Sequence, residues 1–148
     1  MSTRSRIGLK RADDSIESIY CHFDGYPEGV GKILKEHYDT LNKVKELLKL
    51  GDISTLGTFY DEELAKQAWN QWDLPDEERK KLREKTKNLT LPYKDRGEKG
   101  VSSRVDSNIY RYIEQIGNSG EDYTYLFQED YQGVYRWTIC ETPWFKEY

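Results

Sequence analysis

The sequence predicts an α+β fold, a mainly antiparallel sheet built from an N-terminal and a C-terminal β-hairpin, with the helices between them packed on one face. Three observations lead to this prediction. Polar and apolar residues alternate near both ends of the chain, the apolar spacing becomes helical between those ends, and turn-forming residues separate the segments.

The N-terminal hairpin is predicted from two alternating segments. Thr3–Arg11 and Ile16–Phe23 each alternate polar and apolar residues, and the turn-forming run Ala12–Ser15 separates them. Alternation places one set of side chains on the core face of the sheet. These core residues are predicted to be Ile7, Leu9, Ile19, Cys21 and Phe23.

The C-terminal hairpin is predicted from aromatic and β-branched residues at period two, a pattern that favours strands. Asp122–Gln128 and Val134–Glu141 flank the polar run Glu129–Gly133. The inward residues are predicted to be Tyr123, Tyr125, Phe127, Tyr135, Trp137 and Ile139.

Helical periodicity fills the middle of the chain. Helices are predicted to begin at Pro27 and after Asp39 or Thr40, and to cover Asp61–Trp72, Pro75–Lys87 and Asp106–Ile116. In the third helix Leu64, Ala68 and Trp72 share one face, whereas the fourth is highly charged. We therefore interpret residues 1–148 as one domain with a helical insertion over 58–88, followed by a loop over Asn88–Ser103.

Composition excludes several classes of protein. The 148 residues are 36% hydrophobic and 34% charged, with a net charge of −4, which argues for a globular chain and against DNA or RNA as a partner. No apolar run approaches the roughly 20 residues of a membrane span, and the N-terminus lacks the apolar stretch of a signal peptide. We expect a cytoplasmic protein without membrane partners, in which Cys21 and Cys140 stay reduced.

Several motifs resemble known sites, but their spacing or the direction of their side chains does not fit. Gly25 to Lys32 imitates a phosphate-binding P-loop, but it is one residue too long and Ile33 replaces the Ser or Thr that binds Mg²⁺. Cys21 and His22 are adjacent in a strand and so point to opposite faces. No Cys and His spacing matches a zinc site. We therefore predict no metal and no cofactor.

The segment Tyr20–Gly31 is read as a strand that passes through a glycine-rich turn into a helix, a position where proteins often bind ligands. Arginines and aromatic residues share the outer face of the strands that lead into it. Guanidinium groups bind phosphate, and aromatic rings stack on bases. We predict a ligand site at Arg4, Arg6, Tyr20, His22, Asp24 and Tyr26. The alternative interpretation is a solvated outer sheet face.

A basic loop is the second candidate site. Lys94–Gly100 contains two glycines and precedes Arg104, so it could close over a phosphorylated ligand with Lys94, Arg96 and Arg104. The alternative is a solvated connection. The basic run Arg79–Lys87 follows three acidic residues, and this order matches the helix dipole better than a nucleic-acid site.

Aromatic residues are abundant, with 12 Tyr and 4 Trp, and the tail Pro143–Tyr148 contains three aromatics. Because Tyr and Trp are favoured at interfaces, we expect a homo-oligomer or a protein partner. The alternative is that the tail packs on its own domain.

Four stretches together resemble a family of small, mostly uncharacterised proteins encoded by bacteriophages and prophages. They are Ser2–Ile7, Ser18–Gly31, Leu50–Gly57 and Arg96–Glu98. The resemblance implies a phage accessory protein that works in the cytoplasm of an infected bacterium, where such proteins often counter host defence. It implies no activity.

Three functions are compatible with the sequence. The first is a counter-defence protein that binds and sequesters a small phosphorylated or nucleotide-like signalling ligand without catalysis. The second is an inhibitor directed at a host defence protein. The third is a small hydrolase using His22 with Asp24. We expect the first, with no catalytic residues.

Overall fold

Eight strands and five α-helices form the part of the chain that the computed structural model describes, residues 2–141 and 144–147. The strands are β1 (Ser5–Lys10), β2 (Ile16–Cys21), β3 (Ile53–Thr55), β4 (Leu91–Pro92), β5 (Arg104–Asp106), β6 (Tyr123–Glu129), β7 (Tyr135–Glu141) and β8 (Trp144–Glu147). The helices are α1 (Lys32–His37), α2 (Leu41–Leu48), α3 (Glu62–Trp69), α4 (Asp76–Lys85) and α5 (Ile109–Ser119). One sheet has the order β4-β3-β2-β1-β6-β7-β8, with β5 beside β2. The α+β class is confirmed.

Both predicted hairpins are present. β1 and β2 pair antiparallel with Ile7 opposite Ile19, and β6 and β7 pair antiparallel with Phe127 opposite Trp137. The two hairpins join because β1 runs parallel to β6, which places Ile7 opposite Tyr125. The N-terminal strand therefore lies in the middle of the sheet, and the sheet is mixed.

One face of the sheet packs against α1 and α2, as the alternation predicts. Its buried residues include Ile7, Leu9, Ile19, Cys21, Leu34, Val44, Leu48, Tyr125 and Phe127. A π-helical turn over Pro27–Gly31 leads into α1, and the Thr40 side chain caps α2 by accepting from the Lys43 N–H. The indole N–H of Trp137 donates to the Tyr38 carbonyl oxygen at 2.8 Å, which ties the end of α1 to the C-terminal hairpin.

The opposite face is covered by α5, which corrects the prediction that helices lie on one face only. Tyr112 of α5 is fully buried with Ile16 and Leu126, and its hydroxyl donates to the Tyr125 carbonyl oxygen at 3.3 Å. Gly8 lies directly beneath it, since a Cβ built at position 8 would be 2.7 Å from the Tyr112 hydroxyl oxygen. The apolar stripe of α5 needs a partner, and this strip of the sheet supplies one.

The two ends of the predicted insertion lie next to each other. The Thr58 N–H donates to the Asn88 carbonyl oxygen at 2.8 Å, and Phe59 bridges to Leu89. Within it, Ala68 is buried, but Trp72, which is predicted to share its face, is 70% exposed because α3 ends at Trp69. The loop predicted over 88–103 contains β4 and a 3₁₀ turn over Tyr93–Arg96.

The core prediction for Phe23 is wrong, because its side chain is 43% exposed. β2 ends at Cys21, and Asp24 adopts a left-handed backbone with a φ of 58°. Alternation decides the direction of a side chain only while the chain remains a strand. The turn therefore carries Phe23 out of the core.

We predict that Gly8→Ala lowers the free energy of unfolding by about 1–3 kcal/mol, because the new methyl group would overlap Tyr112. Tyr112→Phe removes the nearest atom, so the double variant should lose less than the sum of the two single variants. Urea denaturation of the four proteins measures this coupling. Strictly additive losses would contradict the contact.

Candidate functional site

The predicted arginine face is buried at Arg6 and partly exposed at its other members, Arg4, Tyr20 and His22. Arg6 of β1 lies opposite Tyr20 of β2. Ser18, two residues before Tyr20, lies between Gly8 of β1 and Arg104 of β5. Arg6 is only 6% exposed. We define the Arg6 cluster as Arg6, Arg104, Asp52, Asp106 and Glu121.

Charges within the Arg6 cluster act directly on Arg6. Burial lowers the pKa of Arg6, the nearby Arg104 lowers it further, and Glu121 and Asp52 oppose the shift. Glu121 Oε1 lies 3.8 Å from Arg6 Nη1, and Arg104 Nε donates to Asp106 Oδ2 at 3.1 Å. Arg6 is thus held among carboxylates, but its ion pair is longer than a hydrogen bond.

Several buried polar atoms of the cluster have no hydrogen-bond partner among the described residues. They are Arg6 Nε, Arg104 Nη2, Glu121 Oε2 and the neighbouring Ser18 Oγ. Buried polar groups are nearly always paired, and an unpaired one costs about 1–3 kcal/mol. Unpaired donors and acceptors are therefore concentrated here, each buried from solvent.

Tyr20 and Arg4 line the edge of the cluster. The Tyr20 N–H donates to Asp52 Oδ1 at 2.9 Å, and the Tyr20 hydroxyl lies 2.7 Å from His22 Nδ1. Burial raises the pKa of Tyr20, and the neighbouring Arg4 acts against that shift. Arg4 Nη2 donates to the Gly120 carbonyl oxygen at 2.7 Å, which fixes the turn that carries Glu121. The structure thus brings Arg4, Arg6, Tyr20 and Arg104 together.

The hydrolase interpretation needs His22 and Asp24 as a pair, and the structure gives each a different partner. His22 contacts the Tyr20 hydroxyl, whereas Asp24 accepts from the Tyr26 hydroxyl at 3.2 Å. Asp24 and Tyr26 are both exposed, beyond the end of β2. They form a contact of their own and contribute no hydrogen bond to the Arg6 cluster among the described residues.

Lys94 and Arg96 of the predicted basic loop each contact side chains of this protein. Lys94 Nζ donates to the Tyr60 hydroxyl at 2.9 Å and to Asp95 Oδ1 at 3.1 Å. Arg96 pairs with Glu98, and its guanidinium lies 4.6 Å from the Trp69 ring centre. Both cations thus fasten the loop to the 58–88 segment.

Tyr93 connects that segment to the cluster. Its ring stacks on Trp69 with centroids 5.8 Å apart, it lies 5.0 Å from the Arg96 guanidinium, and it acts electrostatically on Tyr20. The 58–88 segment therefore packs through Trp69 against Tyr93, which lies outside that segment.

Sequence reasoning missed the carboxylates of the site. Asp52 follows the glycine that ends the second predicted helix, Asp106 begins the last predicted helix, and Glu121 lies in a polar turn. Residues in such positions usually cap helices or face solvent. The signal that could have found Asp106 is the short alternation Arg104-Val-Asp106, which forms β5 against β2.

Cys21 lies on the core face and has no nucleophilic character. Burial raises the pKa of its thiol to about 12, so the thiol stays protonated at neutral pH. Cys140 is also a free thiol, and its pKa is raised by burial.

The predicted interface in the aromatic tail falls partly outside the described residues, because Pro143 and Tyr148 lie beyond them. The intervening β8 pairs antiparallel with β7. Its backbone extends the sheet of its own domain, as the alternative interpretation of the tail proposed.

Comparisons of the chain with models of protein families, with curated proteins and with solved structures find no match. Within residues 2–141 and 144–147, no helix combines the length and hydrophobicity needed to cross a bilayer. The same residues contain no group of three His, Cys, Asp or Glu side chains placed to hold a metal ion.

Tyr60→Phe should lower the free energy of unfolding by about 1–3 kcal/mol, because the buried carboxylate of Asp95 loses the hydroxyl that donates to it at 2.7 Å. Tyr131→Phe is the matched control, since Tyr131 is 95% exposed and should change stability by under about 0.5 kcal/mol. Equal effects of the two substitutions on urea unfolding would refute the anchoring role of Tyr60.

Asp52→Asn tests the electrostatics of the cluster. Burial raises the pKa of Asp52, so its contribution to stability is greatest below its unfolded pKa and is lost as pH rises through the folded pKa. Asparagine keeps an oxygen for the Tyr20 N–H but has no charge to bury. Relative to wild type, the variant should therefore gain more stability at about pH 7 than at about pH 3, as measured by urea unfolding. The same difference at both pH values would argue against a raised pKa.

Proposed function

We propose that this protein binds a small anionic, nucleotide-like ligand at the Arg6 cluster and holds it without chemical change. The observation that carries the proposal is the placement of Arg6 and Arg104 in adjacent rows of one sheet face, each with a buried N–H group that has no partner among the described residues. Guanidinium groups donate strong, directional hydrogen bonds to phosphate.

Aromatic residues support the nucleotide-like part of the proposal. Tyr20 is half-buried beside Arg4, and the nearby Tyr93 contributes to the raised pKa of Tyr20. Tyrosine rings stack on bases and sugars, and their hydroxyls add hydrogen bonds.

Binding without turnover is the simplest chemistry for these groups. The Cys21 thiol is protonated and lies on the other face of the sheet, and His22 is engaged by Tyr20 instead of Asp24. A nucleophile needs an activating base within hydrogen-bond reach.

The resemblance to phage and prophage proteins suggests the setting. We propose a counter-defence role in the cytoplasm of an infected bacterium, in which the protein sequesters a nucleotide signal. A homo-oligomer is part of this proposal because of the high aromatic content, and light scattering of the purified protein would measure it.

Arg104→Lys should weaken nucleotide binding roughly 10- to 150-fold, because lysine keeps the charge beside Asp106 but loses the second guanidinium nitrogen. Arg83→Lys on α4 is the matched control and should leave affinity unchanged. Calorimetry with a panel of cyclic and ADP-ribose-type nucleotides measures the effect, and thermal melts check folding. Arg104 is chosen over Arg6 because its side chain is 29% exposed and its loss disturbs the fold less.

The panel also separates the three functions. Recovery of the intact nucleotide after denaturation supports sequestration, and recovery of a cleaved product supports the hydrolase. If no nucleotide binds, the proposal fails and an inhibitor of a host defence protein becomes the better interpretation.

A further inference from the structure

We propose that a cavity between α2 and the start of the 58–88 segment binds a small, neutral ligand with a planar aromatic ring. The cavity is named the Phe59 cavity after the most prominent residue of its lining. It shares no residue with the Arg6 cluster, so the proposal goes beyond the proposed function and stands or falls without it. Three features support it, namely the size and lining of the cavity, its fixed walls and the balance of charge at its rim.

The Phe59 cavity has the size of a small-molecule site. Its volume is about 540 Å³, within the roughly 300–1,000 Å³ that is typical of ligand pockets. The lining includes the aliphatic residues Leu47 and Leu50 and the aromatic residues Tyr38, Phe59 and Tyr60. Phe59 is 41% exposed, so the cavity is accessible from solvent. Aromatic and aliphatic side chains around an open cavity suit an aromatic ring.

Hydrogen bonds fix the walls of the Phe59 cavity. The Tyr38 hydroxyl donates to the Gly57 carbonyl oxygen at 3.0 Å, and the Tyr60 hydroxyl donates to Asp95 Oδ2 at 2.7 Å. The Phe59 backbone is also paired, because its carbonyl oxygen accepts from the Thr90 N–H at 2.8 Å. The cavity is thus formed before a ligand arrives, and binding orders few side chains.

The rim of the Phe59 cavity carries balanced charge, which favours a neutral ligand. Lys43 Nζ lies 3.3 Å from Asp39 Oδ1, and Lys49 Nζ lies 2.9 Å from Glu46 Oε1. Each cation already has a carboxylate partner, so the rim has no excess charge to attract an ion. A charged ligand would have to compete with one of these partners, whereas a neutral ring leaves both pairs intact.

The Phe59 cavity also makes no demand for a strong polar group. Among the described residues, no buried side-chain nitrogen or oxygen without a hydrogen-bond partner belongs to a residue of its lining. Its polar residues His37, Asn42 and Thr58 are exposed and therefore hydrated. Binding can thus come from burial of the ring against aromatic and aliphatic side chains.

The test is a ¹H–¹⁵N NMR titration with three probes that share one ring. They are indole, which is neutral, indole-3-acetate, which is anionic, and tryptamine, which is cationic. Titrations are run at about pH 8, where an imidazole side chain is ordinarily uncharged. We expect saturable shifts of the amide signals of Asn42, Leu47 and Thr58 on addition of indole, and no tighter binding of either charged probe.

Phe59→Ser should weaken indole binding roughly 3- to 10-fold, because the exposed ring of Phe59 is lost from the lining. Phe23→Ser is the matched control and should leave the affinity unchanged. Phe23 is 43% exposed, close to the exposure of Phe59, and does not line the cavity.

Two results would overturn the site itself. One is the absence of saturable shifts at the cavity when indole is added, and the other is an equal loss of affinity in the two phenylalanine variants. Binding of either ion roughly tenfold more tightly than indole would overturn the neutral class of ligand. The position of the shifts in wild type and the comparison of the three probes decide the question even if Phe59→Ser does not fold.

Discussion

The buried guanidinium of Arg6 is the constraint on which the arrangement of this face depends. Arg6 lies on β1, which pairs with both hairpins, so its charge is placed in the middle of the sheet. A buried charge needs compensation. The carboxylates of Asp52 and Glu121 supply it from two separate loops, and Arg104 with Asp106 closes the cluster from β5. Three distant segments of the chain are therefore held around one side chain of β1.

The two faces of the sheet are held by different kinds of interaction. The face that packs on α1 and α2 is apolar, with Ile7, Ile19 and Tyr125 fully buried. The face under α5 is apolar only near Tyr112 and becomes charged toward Arg6. Stability can come from the first face and from the Tyr112 contact, and this stability offsets the cost of the unpaired groups in the charged region. Functional sites commonly retain such locally unfavourable groups at the expense of stability.

The sequence predicts the hairpins and the apolar face because both depend on local alternation, as Ile7, Ile19 and Phe127 show. It does not predict that β1 pairs with β6, since parallel pairing between distant segments leaves no local pattern. The same limit hides the packing of α5 on the second face of the sheet. The stripe of α5 around Tyr112 predicts a helix, but not the face on which it packs.

The candidate site was predictable only in part, for a related reason. Alternation places Arg6 and Tyr20 on one face, and the sequence identifies Arg104 only as a cation that follows a loop. The carboxylates that define the chemistry lie in turns and in a strand of three residues, where residue type alone indicates capping or solvation. Their grouping is a property of tertiary structure.

The most direct test of this account is ¹H–¹⁵N NMR of the arginine Nε–H groups, with the Arg6 signal assigned from Arg6→Lys and recorded before and after addition of ADP-ribose. We expect a slowly exchanging Arg6 Nε–H signal, since that atom is buried, and a large downfield shift when a phosphate oxygen accepts from it. An Arg6 signal that exchanges rapidly, or one that is unmoved while the nucleotide binds, would contradict the central role of Arg6.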